Sequence, residues 1–409
     1  MVGAVTPRPF RTRLLLLLVA VLTPAACSDD SGTTAQPIRT DPVSGVRLDE
    51  ATRARLQRSF ERSFATEIAG TQTPGAVALV EVGHEQWVSS LGVADISSQE
   101  PMTQDRRLRI ASLTKTFVAT AVLQLVDEGQ LALDDPLERF VPGIAGGDQV
   151  TVRDLLAMAS GVWSFTSDEA LVARFDADPA LAWTVGDTVD LLREHSADFA
   201  PEAKVVYSDS NYVLLGMIVE QITGRPIGEV IEERILKPLG LTATRFPADD
   251  EPGVPVPAAV GYLPTSTSAP SDGDTSGDLR PVTVINPTFA WASGAMTSTV
   301  DDLARWAAEV TVGTLISPEL QAQRLQTRRF TGVDVDYGYG LGVMNTKDMF
   351  GHTGGIVGFG AVMTRFPAAD ATFVVLVNSS TNFDNASLDI FNALLGELFP
   401  EQVTLPTGR

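Results

Sequence analysis

The chain has 409 residues, of which 44% are hydrophobic, so it can build a sizeable core as one large domain or two modest ones. Its formal net charge of −21 argues against a nucleic-acid-binding protein, which needs a basic face for the phosphates. The three histidines and the single cysteine do not stand at metal-ligand spacing, and one cysteine cannot form a disulfide within the chain. We therefore predict no metal and no cofactor.

The N-terminus is typical of an export signal. Three arginines precede the apolar run Leu14–Leu22, which is shorter than the roughly 20 residues that a membrane-spanning helix needs. Two alanines and Cys27 follow, which resembles a bacterial lipobox, although Pro24 stands where leucine is usual. We predict a signal peptide over residues 1–26, a lipid on Cys27 and a flexible tether over residues 27–46. The protein would then be anchored on the outer face of the bacterial cell membrane; plain secretion is the alternative.

Apolar periodicity predicts the elements of the mature chain. Predicted helices are Glu50–Ile68, Leu113–Val126, Val152–Ala159, Tyr212–Ile222, Asp301–Glu309 and Leu388–Leu398. Predicted strands are Ala76–Val82 and Trp87–Val93, which form a hairpin, and Tyr339–Met344, Ala361–Phe366 and Thr372–Val377. Residues 249–288, rich in proline, serine and glycine, are predicted to be a long loop.

Because strands lie at both ends and helices in the middle, we predict an α/β (α+β) fold. N- and C-terminal strands would form one antiparallel sheet flanked by helices, with an inserted, mainly helical lobe. The domain would cover residues 47–400, followed by a tail over 401–409, and a cleft between sheet and lobe would bind the ligand.

Ser112-Leu113-Thr114-Lys115 is the first segment with catalytic potential. Ser112 stands where a helix is predicted to begin, and Lys115 lies one turn later on nearly the same face. A serine hydroxyl is a poor nucleophile until a base takes its proton, and a lysine whose pKa is depressed by burial can be that base. The helix start would also direct N–H groups at a developing anion. Alone, the spacing also fits a serine N-cap followed by a surface lysine.

Tyr207-Ser208-Asp209 is the second such segment. A tyrosine beside a cation can act as a general acid or base. The alternatives are a core aromatic at Tyr207 and an N-cap at Asp209.

The third segment is Gly351-His352-Thr353-Gly354-Gly355. Its glycines would let the backbone approach a ligand, and an edge strand there could offer N–H groups to an oxyanion. The alternative is a glycine-rich turn with an exposed histidine.

In this order, the three segments resemble those of the serine β-lactamase and D-alanyl-D-alanine carboxypeptidase superfamily, in its class C β-lactamase-like branch. The similar flanks are Arg109-Ile110-Ala111, Asn211-Tyr212-Val213-Leu214-Leu215-Gly216 and Ser293-Gly294-Ala295-Met296-Thr297-Ser298-Thr299 with Asp302-Leu303. The likeness runs from about Leu48 to Leu398. It implies a β-lactamase/transpeptidase-like fold.

The resemblance also implies a role for each residue. Ser112 would be acylated, Lys115 would receive or relay its proton, and Tyr207 would protonate the leaving group and later activate water. N–H groups of Ser112 and Gly355 would form the oxyanion hole. The residues implied to line the substrate cleft on the edge strand are His352, Thr353 and Gly354. Whether Lys115 or Tyr207 is the base stays open.

Three residues or segments depart from the family pattern. Asp209 stands where many relatives have an asparagine. An ionised carboxylate cannot donate a hydrogen bond to a substrate carbonyl, although it could pair with Lys115. His352 replaces the lysine of class C β-lactamases, which removes a permanent charge for a substrate carboxylate and favours peptidase or esterase relatives. Residues 156–161 replace a segment that often contains His-Thr-Ser-Gly.

The sequence thus predicts an exported serine hydrolase that acts through an acyl-enzyme on D-alanyl-D-alanine-type peptides or related amides. An esterase of small acyl esters, motivated by Asp209, and a β-lactamase are the alternatives. A non-catalytic binding protein that has the same fold is a further one. Predicted partners are a small peptide, amide or ester, including cell-wall peptides, and the membrane through Cys27.

Overall fold

The computed structural model describes residues 45–70, 73–264, 279–282, 284–333, 337–379 and 386–403. The predicted signal peptide, Cys27, most of the tether and the last six residues lie outside these ranges. Within the described ranges, no helix combines the length and apolar character that crossing a membrane requires.

Strands from both ends of the described chain form one nine-stranded sheet. The thirteen strands are β1 (Gly75–Val82), β2 (Glu85–Asp95), β3 (Glu100–Pro101), β4 (Leu108–Arg109), β5 (Gly261–Pro264), β6 (Leu279–Val282), β7 (Thr297–Ser298), β8 (Arg328–Arg329), β9 (Tyr337–Tyr339), β10 (Met344–Thr346), β11 (Met349–Ile356), β12 (Phe359–Phe366) and β13 (Ala371–Val377). The large sheet has the order β3-β2-β1-β13-β12-β11-β10-β9-β8, and β4–β7 and β5–β6 form separate pairs. All pairings between these strands are antiparallel.

Helices cover both faces of the sheet and fill the middle of the chain. They are α1 (Glu50–Gly70), α2 (Thr114–Asp127), α3 (Val152–Leu156), α4 (Glu169–Ala177), α5 (Val185–Arg193), α6 (Asp209–Thr223), α7 (Ile227–Ile231), α8 (Lys237–Leu239), α9 (Pro287–Ala290), α10 (Val300–Val312), α11 (Pro318–Arg324) and α12 (Ala386–Leu398). Between β4 and β5 all regular elements are helical, which is the predicted inserted lobe. The predicted fold class is therefore confirmed.

Alternate residues of the central strands point to two different cores, as the two-residue period of a strand requires. In β1, Val77 and Leu79 join the core that contains α2, α6 and α10. Ala78 and Val80 join the second core, which α1 and α12 cover. The sheet is thus buried on both sides, and the site described below lies on the α2 side.

Several element boundaries differ from the predicted ones. The predicted strand Tyr339–Met344 is wrong, because the chain turns between β9 and β10 at Gly342, whose φ of +83° favours glycine. The predicted helix from Val152 ends at Leu156, because Met158 adopts a φ of +57°. The predicted loop over residues 249–288 contains β5, β6 and the start of α9.

Candidate active site

Ser112 lies in a 3-10 turn that leads directly into α2. The preceding Ala111 has a φ of +48°, a left-handed conformation that costs energy for alanine and is held by its surroundings. Two hydrogen bonds fix this turn against β7. The Ile110 N–H donates to the Met296 carbonyl oxygen at 3.0 Å, and the Met296 N–H donates to the Thr114 hydroxyl at 3.1 Å. The half-buried serine is therefore presented by a rigid, strained turn.

Lys115 is buried and contacts three acceptors. Its Nζ lies 3.0 Å from Ser112 Oγ, 2.7 Å from Asp209 Oδ1 and 2.6 Å from the carbonyl oxygen of Ser293. The side chain is 0% exposed, and burial lowers its pKa, an effect that the Asp209 carboxylate partly offsets. The predicted pairing of Asp209 with Lys115 is thus present.

These contacts define what Lys115 can do in each protonation state. As an ammonium ion it has three N–H donors, one for each acceptor. As a neutral amine it keeps two, and the carboxylate of Asp209 and the carbonyl of Ser293 can only accept. The lone pair of the amine then faces Ser112, where it can take the hydroxyl proton. The geometry therefore orients the neutral amine as a base toward Ser112.

Asp209 is the first residue of α6 and is held by the loop before α4. Its Oδ2 accepts a hydrogen bond from Thr166 Oγ1 at 3.0 Å, and its backbone N–H donates to Ser164 Oγ at 3.1 Å. The two hydroxyls lie 2.9 Å apart. Both carboxylate oxygens are thus occupied within the protein, by Lys115 and Thr166.

The Tyr207 hydroxyl is directed at the same cluster. Burial raises its pKa well above the usual value and nearby Asp209 adds to this, whereas Ser112 acts in the opposite direction. The oxygen is shielded from solvent, and no described residue offers it a partner in good hydrogen-bond geometry. Lys115 Nζ lies 5.0 Å from the centre of the Tyr207 ring. The hydroxyl is therefore protonated, close to Ser112 and free to bind another group.

His352 is buried beside Tyr207 and is neutral. It is 2% exposed, its ring lies 6.2 Å from that of Tyr207, and burial together with Lys115 lowers its pKa to about 3. Nδ1 lies 2.5 Å from the Thr353 carbonyl oxygen, which can only accept, so Nδ1 carries the proton. Nε2 then accepts from the Tyr339 hydroxyl at 3.1 Å. The histidine is thus neither the exposed residue of the alternative interpretation nor a cation.

The other three candidate residues of β11, Thr353, Gly354 and Gly355, lie in three different environments. Thr353 points to the opposite face of the sheet, and its hydroxyl contacts the sulfur of Met344 at 3.8 Å. Gly354 lies against the serine turn, where a Cβ atom would meet the Ile110 carbonyl oxygen at 2.5 Å. Gly355 is exposed, and a Cβ there would meet nothing within 4 Å. The cluster thus includes Gly354, whereas the Thr353 side chain does not reach it.

The predicted site missed four residues that shape the cluster. Thr166 lies in a short 3-10 turn (Phe165–Ser167) that Ser164 precedes, and no periodicity in the sequence marks this segment. Ser293 contributes only a backbone oxygen to the cluster. Tyr339 was assigned to a strand, and nothing in the sequence connects it to His352. The loop 156–161 also has a role: Met158 accepts hydrogen bonds through its sulfur from the Ser208 N–H and from Asn211, both at 3.4 Å, and so supports the Tyr207 segment.

A serine on a strained turn, a buried lysine oriented toward it and a protonated tyrosine beside both are the parts of a Ser-Lys hydrolase. With the antiparallel sheet and the inserted helical lobe, they define the chain as a serine hydrolase of the β-lactamase fold. The chain belongs to the beta-lactamase family, whose model matches residues 60–397.

Relatives of known name agree with this assignment. A D-stereospecific amidohydrolase from Streptomyces sp. superposes with a TM-score of 0.74 at 31% identity, over 85% of this chain and 99% of that one. The D-aminopeptidase of Brucella anthropi is 27% identical over 333 residues, 79% of this chain and 59% of that protein. An Escherichia coli (strain K12) protein provisionally named a D-alanyl-D-alanine carboxypeptidase is 34% identical over 146 residues, 34% of this chain and 33% of its own length. The chain thus spans only part of these curated relatives.

Proposed function

We propose that the chain is a hydrolase of small amides or peptides of D-amino acids, acting through an acyl-enzyme on Ser112. The observation that carries the proposal is the distance of 3.0 Å between Lys115 Nζ and Ser112 Oγ, with the remaining lysine donors fixed on Asp209 and Ser293. A base held in this way costs little reorganisation when the serine attacks.

The proposed reaction follows from the three candidate residues. The Ser112 proton moves to neutral Lys115 while Oγ bonds to the substrate carbonyl carbon. The N–H groups of Ser112 and Gly355 hold the resulting oxyanion. The bond to the leaving nitrogen breaks as Tyr207 gives it a proton, and Lys115 can return the serine proton to Tyr207. Water then attacks the ester with proton transfer in reverse, which releases the acid and restores Ser112.

The raised pKa of Tyr207 supports the assignment of Lys115 as the base for acylation. A tyrosinate in this buried place, beside Asp209, is disfavoured. A protonated tyrosine is instead ready to act as the acid.

The names of two relatives and the local charges support the substrate class. The Streptomyces and Brucella proteins are named for D-stereospecific amide or peptide cleavage. In this chain His352 is neutral and therefore offers no cation to a substrate carboxylate. Asp209 is an anion whose oxygens are both occupied within the protein, so it does not bind a carboxylate either. Amides without a free carboxylate at the leaving side fit this site better than D-alanyl-D-alanine or a penicillin. The occupied Asp209, which donates nothing to a substrate amide, also keeps an esterase as the second candidate.

Intact-mass measurement with a fluorophosphonate tests the acyl-enzyme. The wild type is expected to gain one adduct and Ser112→Ala none; an equal adduct on the variant contradicts the proposal. A panel of D-alaninamide, L-alaninamide, an acetylated D-alanyl-D-alanine and p-nitrophenyl acetate then ranks the substrates. We expect D-alaninamide to be cleaved fastest, whereas cleavage of the ester alone would favour the esterase.

We also propose, on the sequence of the first 46 residues, that the protein is exported and lipidated on Cys27. Expression of the full chain in a bacterium and fractionation test this. The wild type is expected in the membrane fraction and Cys27→Ala in the soluble exported fraction; identical distribution of the two contradicts lipidation.

A further inference from the structure

We propose that Thr166, held by Ser164, is a positioning residue that fixes Asp209 against Lys115 and moderates its attraction for the lysine charge. Asp209 in turn sets the pH range in which Lys115 can accept the proton of Ser112. This inference concerns the same site as the proposed function. It rests on that function only where Lys115 accepts the proton of Ser112.

Four polar groups form a closed ring of hydrogen bonds, and its directions follow from what each atom can donate. The Asp209 N–H can only donate, so Ser164 Oγ accepts it at 3.1 Å. The Asp209 carboxylate can only accept, so Thr166 Oγ1 donates to Oδ2 at 3.0 Å. Thr166 has one proton, so across their 2.9 Å contact Ser164 is the donor and Thr166 the acceptor. The ring leads from the amide of Asp209 back to its own carboxylate.

The ring leaves one oxygen, Asp209 Oδ1, for Lys115 at 2.7 Å. The hydrogen bond from Thr166 to Oδ2 draws negative charge away from Oδ1, the oxygen that contacts Lys115. This weakens the potential that favours the ammonium form of Lys115. Thr166 therefore helps to keep the neutral, basic form of Lys115 accessible.

The charged and titratable groups that face Lys115 come from several elements. They are Asp209 and Tyr212 of α6, Tyr207 before α6, and His352 of β11. Tyr207 and Tyr212 are kept protonated by burial, and His352 is neutral. Asp209 is thus the anion within this set, and a change at Asp209 or at its hydrogen-bond donor should act on Lys115 directly.

The chain is suited to a direct measurement, because it has only four lysines, at positions 115, 204, 237 and 347. Lysine labelled with 13C at Cε gives four signals in the folded protein, and the one absent from Lys115→Gln is Lys115. We expect Asp209→Asn to lower the titration midpoint of Lys115 by about one unit or more, since the anion is removed. We expect Thr166→Val to raise it by about half a unit, since the donor is removed and the carboxylate remains.

Thr166→Ser keeps the hydroxyl and is the matched control, with a midpoint expected to equal that of the wild type. Thermal unfolding monitored by circular dichroism checks that each variant is folded, and Thr166→Ala replaces Thr166→Val if the latter is not. Opposite shifts for Asp209→Asn and the variant that lacks the hydroxyl support the proposal. An unchanged or lowered midpoint in a folded Thr166→Val or Thr166→Ala overturns it, because a residue with only a packing role would not move the titration upward.

The pH dependence of fluorophosphonate acylation connects the titration to function. The second-order rate constant should rise with pH as Lys115 loses its proton, with the rise at lower pH in Asp209→Asn and at higher pH in Thr166→Val. If the lysine signals shift as expected but the wild type is never acylated, the proposed function fails and the inference on Thr166 stands. If the wild type is acylated and neither the signals nor the rate profiles shift, the inference fails alone.

Discussion

Replacing Gly354 by alanine tests the close contact between β11 and the turn that carries Ser112. A Cβ atom at this position would lie 2.5 Å from the Ile110 carbonyl oxygen and 3.1 Å from both Ala111 Cβ and Leu113 Cδ1. The first distance is about 0.9 Å short of the 3.4 Å at which ordinary contact begins. Strand β11 must therefore move away from the serine turn by nearly that amount, or the strained turn at Ala111 must yield.

Two consequences follow from this displacement. Overpacking of this kind costs about 1–3 kcal/mol of unfolding free energy. A displacement of about 1 Å also separates the N–H groups of Gly355 and Ser112, which should lower the acylation rate on the order of 100-fold. We expect Gly354→Ala to show both effects in urea unfolding and in the fluorophosphonate rate constant.

Gly355→Ala is the matched control for stability, because the adjacent position has open space for a Cβ atom. Its unfolding midpoint should equal that of the wild type or exceed it slightly, since alanine loses less backbone entropy than glycine. If Gly354→Ala unfolds at the wild-type denaturant concentration and is acylated at the wild-type rate, then β11 does not need to approach Ser112 closely. The proposed oxyanion hole would then be wrong.

Two further predictions concern Tyr207 and His352. Tyr207→Phe removes a shielded hydroxyl for which no described residue is a partner in good hydrogen-bond geometry, so the unfolding free energy should be unchanged or slightly higher. Amide turnover should fall about 100-fold or more, and equal turnover would remove Tyr207 from the mechanism. Because the pKa of His352 is lowered from 6.5 to about 3, the unfolded chain binds the extra proton, and stability should fall as pH drops from 6.5 toward 3. Between pH 7 and 4.5, urea unfolding should show that His352→Gln loses about 2–3 kcal/mol less unfolding free energy than the wild type. Equal losses would mean that His352 takes up its proton over the same pH range in the folded and the unfolded chain.

The parts of the site that could be predicted from the sequence are those carried by side chains in short segments. Ser112 and Lys115 are three residues apart, so helix geometry alone brings them together, and the structure places them 3.0 Å from each other. The pairing of Lys115 with Asp209 needed the family resemblance as well, since 94 residues separate them. Both contacts use residue types whose chemistry is visible in the sequence.

The rest depended on the tertiary fold. Nothing in the sequence marks Thr166 as a site residue, because only the tertiary fold brings it to Asp209. The Ser293 carbonyl oxygen would be an acceptor with any side chain at that position. Tyr339 is the last residue of a short strand, and a glycine-containing turn follows it. The apolar residues of that turn are buried in the core, so the sequence has the apolar pattern of a longer strand. Local periodicity cannot distinguish a buried turn from a strand, because burial alone produces this pattern.

Two of the three departures from the family pattern, Asp209 and His352, have the same effect on the charges of the site. With Asp209, the chain has an anion where many relatives have a neutral amide, and this anion is used internally, on Lys115 and Thr166. With His352 it has a neutral ring where class C β-lactamases have a cation, and both ring nitrogens are again used internally, on Tyr339 and Thr353. A buried ion or polar group is stable only when its hydrogen-bond partners are complete, so neither residue can turn outward to a ligand without leaving a partner unsatisfied. At these two positions the chain therefore offers no free charge to a substrate, which is the reason to expect an amide or ester and not a carboxylate at the leaving side.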